Sequence, residues 1–148
     1  MREIVFALEF RGRGETVPGE PGKRRARSTA ASQTLSAVLG PIGVRARVEA
    51  VPGESAMLDT RVERFADGSF VEDGTITYGS AGRVTFETIG RGWVGPAPLD
   101  GWVVGGIVWR ITGGDGVFAG AQGLITSNFT VNAGGEVIDD QVARLYLP

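Results

Sequence analysis

The chain has 148 residues, a net charge of −2 with 22% charged residues, and neither cysteine nor histidine. That length supports one domain, residues 1–148, with a buried core, and not two. The composition excludes disulfides, thiol nucleophiles, imidazole acid/base catalysis and nearly every zinc site, and so weak a net charge gives no field for nucleic acid.

In chain order, residues 2–10 alternate in period two and are expected to form a strand. Their apolar stretch is too short and too charged for a signal segment or a membrane span, so a cytoplasmic protein without a membrane partner is expected. Arg11 to Arg27, RGRGETVPGEPGKRRAR, carries glycine, proline and charge without apolar periodicity. It reads as a mobile loop or lid at 11–27, with the basic cluster Lys23-Arg24-Arg25-Arg27 solvated on it. Ser28 is placed to cap a short helix over 28–39, with Ala31, Leu35, Val38 and Leu39 on one face and Gly40-Pro41 as its stop.

Further strands are expected at about 44–51, 56–65, 69–78, 82–89, 102–111, 122–131 and 136–147, each bounded by glycine, proline or aspartate. With the first strand this makes eight, and an all-β closed antiparallel barrel is the architecture that leaves no edge exposed. The strand at 102–111 is apolar on both faces. Val103, Ile107 and Ile111 lie on one side and Trp102, Val104 and Val108 on the other, so one face could line the barrel and the other meet a neighbouring subunit or a covering loop.

The segment Trp109–Thr126, WRITGGDGVFAGAQGLIT, concentrates glycine around Asp115. It is not a phosphate loop, because Val117-Phe118 stand where lysine and serine or threonine are needed. Nor is it a dinucleotide fingerprint, since β-rich residues follow instead of a helix, and one aspartate is too little for calcium. A tight turn remains, with glycines supplying positive φ and Asp115 bonding back to the local backbone. No cofactor and no metal are expected.

Aromatic residues fall on most of the strands, and about half must point inwards in a barrel. The polar residues that could share an inward phase are Glu9, Glu63, Glu87, Thr126, Asn128 and Tyr146. Each is more often a solvent-facing strand residue, and period two alone does not say which phase faces in.

The run Thr112-Gly113-Gly114-Asp115-Gly116-Val117-Phe118-Ala119-Gly120-Ala121-Gln122-Gly123 resembles the glycine hairpin of the allene oxide cyclase and dirigent-like barrels. The opening REIVFALEFRGRGE is similar in outline to the first strand of that family, where a glutamate reaches the cavity, and Glu9 is the matching position. The resemblance implies a small eight-stranded barrel, commonly a trimer, enclosing a hydrophobic small-molecule substrate. It also implies a cofactor-free cyclase, of the kind that folds a polyketide-like chain for cyclisation or cycloaddition. In that reading Glu9, Tyr146 and Asn128 are the candidate catalytic residues. Trp102, Trp109, Tyr78, Phe86 and Glu87 are the candidate substrate contacts, and the protein is a homo-oligomer, a trimer or a dimer. A non-catalytic, lipocalin-like carrier using the same cavity remains open beside it.

Overall fold

The computed structural model describes residues 1–148. Eleven strands form: β1 (Arg2–Thr16), β2 (Lys23–Ala30), β3 (Gln33–Gly40), β4 (Gly43–Ala50), β5 (Ala56–Arg64), β6 (Ser69–Tyr78), β7 (Arg83–Thr88), β8 (Gly92–Pro96), β9 (Trp102–Gly114), β10 (Gln122–Asn132) and β11 (Glu136–Leu147). Eight of them, in the order β10-β11-β1-β2-β5-β6-β7-β9, make an antiparallel ring that closes where β9 pairs with β10. The ninth strand, β8, pairs with β9 over 93–96 and 103–106 and with the first residues of β6, filling the wall where β7 has ended.

Alternation sets the core. Along β11 the buried residues Asp139, Gln141, Ala143, Leu145 and Leu147 alternate with exposed or half-buried ones. In register with them, β1 turns Ile4, Phe6, Leu8 and Phe10 inwards and β10 turns Ile125, Ser127 and Phe129 inwards. Trp109, fully buried, stacks on Phe86 with centroids 4.2 Å apart and lies across the middle of the barrel. Such a pair contributes about 0.5–1.5 kcal/mol beyond its buried area.

Two sequence expectations are corrected. Residues 11–27 are not a lid: β1 continues to Thr16 and β2 begins at Lys23, leaving only a short turn between them. Arg11, Arg13 and Glu15 face out while Gly12 and Gly14 face in, so the alternation is present but its inward members have no side chain to reveal it. A Cβ on Gly12 would lie 2.0 Å from the Arg27 carbonyl oxygen, which shows how closely β1 and β2 approach as the wall bends. Residues 28–39 are not a helix either. They end β2 and form β3, whose partner β4 makes a separate two-stranded hairpin. Residues 44–51, expected in the barrel wall, therefore belong to this hairpin, and β2 takes the eighth place in the ring.

The glycine run does turn the chain, in a form more specific than a tight β-turn. A single 3-10 turn, Gly116–Phe118, links β9 to β10, with Gly116 at φ 58° and Gly120 at φ 72°. The Asp115 carboxylate does not cap it locally. It accepts from the Arg83 backbone N–H at 2.8 Å and from Arg83 Nη2 at 2.9 Å, tying the turn to β7. The turn thereby drives Phe118 into the end of the barrel, where its ring sits 5.1 Å from Tyr78, itself 5.3 Å from Phe6. These three rings close one end.

Candidate functional site

The opposite end is open. There lies a mainly apolar cavity of about 70 Å³, lined by Leu58, Val62, Phe70, Val94 and Phe129 together with Arg24 and Arg64. A wider polar groove of about 570 Å³ adjoins it and shares Arg24, Arg25, Val62 and Glu72 with it. The cavity holds only a few heavy atoms; cavity and groove together reach the size of a ligand site.

Two carboxyl groups face this space. Glu72 sits on β6 in the inward phase of Phe70, Ile76 and Tyr78, and its backbone N–H is held by Thr88 Oγ1 at 2.7 Å. Its side chain is half-buried, packed among protein atoms and bordering both the cavity and the groove. Burial pushes its pKa up from 4.5 to about 8, helped by the charges of Asp139 and Asp73. Thr60 and Trp109 oppose that shift. Thr60 Oγ1 and Trp109 Nε1 nonetheless have no hydrogen bond of good geometry, although both are buried. They stand close to the carboxyl without engaging it, and unengaged buried polar atoms of this kind cost about 1–3 kcal/mol each.

Asp139, on β11, is 4% exposed. Its carboxyl accepts from Ser127 Oγ and from Gln141 Nε2, both at 2.6 Å. Burial raises its pKa to about 6 against the pull of those two donors. At neutral pH the pair therefore divides: Glu72 is mainly a neutral acid and Asp139 mainly a carboxylate. Two carboxyls pushed to different values in one site are the raw material of acid/base chemistry.

The residues picked from sequence fall elsewhere. Glu9 is on the outer face of β1, ion-paired with Arg11 at 2.8 Å, and helps to raise the pKa of its neighbour Asp140 after burial itself. Asn128 and Tyr146 are exposed on the outer faces of β10 and β11. Glu87 pairs with Arg110 outside the barrel, and Trp102 takes the outward phase at the start of β9. The inward placing of Glu9, Asn128, Tyr146, Glu87 and Trp102 is thus corrected, and Glu63 and Thr126 also face out. Trp109, Phe86 and Tyr78 do point inwards. Trp109 and Phe86 stack on each other in the core and Tyr78 helps close the far end, and none of the three lines the cavity.

Glu72 and Asp139 carried a usable signal. In β6 the phase of Phe70, Ile76 and Tyr78 contains Glu72, and the other phase is Val71, Asp73, Thr75 and Thr77. In β11 the phase of Ala143, Leu145 and Leu147 contains Asp139, while Arg144 and Asp140 belong to the other. Reading the more apolar phase as interior places both carboxyls inside.

No group of three or more histidine, cysteine, aspartate or glutamate side chains is arranged to hold a metal ion. No protein-family model matches the chain, and no curated protein or solved structure is detectably similar to it.

Proposed function

We propose that this barrel is a cofactor-free cyclase that folds a flexible, mostly apolar, polyketide-like substrate for ring closure, with Glu72 as its acid. The carrying observation is a carboxyl held neutral near pH 7 in the wall of an apolar cavity. A neutral carboxyl donates a hydrogen bond to a carbonyl oxygen and draws electron density from a conjugated double bond, without being consumed. In a cycloaddition the bonds made and broken lie within the substrate, so no nucleophile or oxidant is required. The barrel has to hold the reacting ends together, and such confinement supplies as much as roughly 7–11 kcal/mol in the best intramolecular cases.

Asp139 is a positioning residue in this scheme: burial holds the proton on Glu72, and the charge of Asp139 adds to that effect. The cavity takes the apolar reacting part beside Glu72 and the adjoining polar groove takes the polar end of the chain. The proposal extends to a homo-oligomer, a trimer or a dimer, supported by apolar surface without a cover in the single chain. One face of the β3–β4 hairpin carries Leu35, Ala37, Leu39, Val44, Ala46 and Val48, and two strands alone do not bury such a face.

The test compares the rate of ring closure of a linear triene bearing a tethered, carbonyl-activated alkene, with and without the purified protein. The proposal expects acceleration that falls about 10²-fold in Glu72→Gln and declines above pH 8 as the acid ionises. A rate equal to that in buffer overturns it, and substrate bound but returned unchanged identifies a carrier.

A further inference from the structure

Arginine is used in two different ways in this protein. Eight of its arginines form ion pairs with carboxylates, all on the outer surface, as in Arg27–Asp59, Arg61–Asp73 and Arg83–Asp115. The other six do not; three of these line the cavity, Arg25 from the outward phase of β2, and Arg24 and Arg64 beside it. Arg24 lies in the inward phase of β2, and its only hydrogen bond is a long one, 3.5 Å, to the Gly14 carbonyl oxygen. Arg64, at the end of β5 where it pairs with Phe70, has no carboxylate within 4 Å and no side-chain hydrogen bond.

The two guanidinium groups are neighbours. Partial burial lowers the pKa of Arg64, and the charge of Arg24 lowers it further. The nearest acidic residues do not relieve this. Glu15 and Glu63 face outwards, Glu20 is bonded to Lys23, and the shifts of Glu72 and Asp139 owe nothing to either arginine. Gly14, paired with Ala26 on the diagonal from Arg24, has no side chain, and a Cβ there would lie 3.8 Å from Arg24 Nη2. Two like charges kept together at a cavity mouth without a counterion are unfavourable in the free protein and become favourable once an anion lies between them.

We infer that Arg24 and Arg64 form a two-point site for an organic carboxylate or enolate, whose anionic group they hold at the mouth while its apolar part enters the cavity. This deepens the reading of the cavity as a substrate site, and rests on it, by giving the substrate a charged end. Guanidinium suits such a group because its planar donors match two oxygens at once.

The test is isothermal titration calorimetry at low salt with three probes: benzoate, benzyl alcohol and inorganic phosphate. Benzoate is expected to bind at least tenfold more tightly than either other probe and to weaken as salt is added. Arg24→Gln and Arg64→Gln are each expected to lose tenfold or more for benzoate with an unchanged urea midpoint, Arg64→Lys is expected to recover part of the loss, and Arg45→Gln, on the β3–β4 hairpin away from the cavity, is expected to bind as the unaltered protein does. Benzoate binding no tighter than benzyl alcohol, phosphate matching benzoate, or both glutamine variants binding normally overturns the inference. Benzoate held by the two arginines in a protein that closes no ring removes the cyclase and leaves the anion site. Ring closure indifferent to Arg24→Gln and Arg64→Gln does the reverse.

Discussion

Replacing Glu72 by glutamine removes one ionisation and little volume, and its consequence follows from where that carboxyl sits. In the unfolded chain it titrates at its ordinary value of 4.5 and in the folded barrel at about 8. The difference corresponds to as much as roughly 5 kcal/mol between the two protonation states. Because the folded value is the higher one, the native state holds the proton that the unfolded state has released. Stability is therefore fully present below pH 4.5 and is lost progressively as pH rises through 8. Asp139, raised from 3.8 to about 6, contributes a loss of the same sign at lower pH. Histidine and cysteine are absent, so neither of the side chains that ordinarily titrate near neutral pH overlaps the transition of Glu72. Urea denaturation at pH 6, 7.5 and 9 is expected to show the unaltered protein losing several kcal/mol across this range, and Glu72→Gln staying nearly level. Parallel declines in the two proteins would refute the buried, neutral Glu72.

Other outcomes follow from the same geometry. Asp139→Asn removes a charge that raises the Glu72 pKa, so the pH midpoint of stability is expected to move down, measured by the same denaturation series. Phe118→Ala takes away the ring that closes the barrel end against Tyr78 and is expected to cost about 3–5 kcal/mol in urea unfolding, with the turn's Asp115–Arg83 bonds left in place. Glu9→Gln, Asn128→Ala and Tyr146→Phe alter outward side chains and are expected to leave ring closure within about twofold of the unaltered rate, assayed under saturating substrate. Leu39→Asp with Val44→Asp places charge on the apolar face of the hairpin. Light scattering is expected to report a monomer with barrel circular dichroism intact, whereas an unchanged oligomer would assign that interface elsewhere.

The strands themselves were legible because a strand that buries one face writes period two into its residues. β5, β6, β10 and β11 were placed to within a residue or two for that reason. The same rule failed at β2 and the end of β1. There the barrel wall bends, the inward positions are Gly12, Gly14, Ala26 and Ser28, and charged residues fill the outer phase, so the stretch looks like a loop. Leu35, Val38 and Leu39 imitate helical spacing, yet Leu35 and Leu39 share one face of a hairpin and Val38 lies on the other.

For the candidate site, composition alone narrowed what chemistry is possible: without thiol or imidazole, acid/base work is left to carboxyls, two tyrosines and one lysine in an aromatic barrel. Which carboxyls was decided only by closure of the ring. Glu9, Glu72, Asp139 and Asp140 all sit in alternating strands, and a one-residue change of phase exchanges inside for outside. Pairing of β9 with β10 turns one phase of every strand into a common interior. That step desolvates Glu72 and Asp139 and leaves Glu9 on the outer face, half-buried and paired with Arg11, and no local feature of the sequence carries it, because the strands that meet there are brought together by the whole barrel.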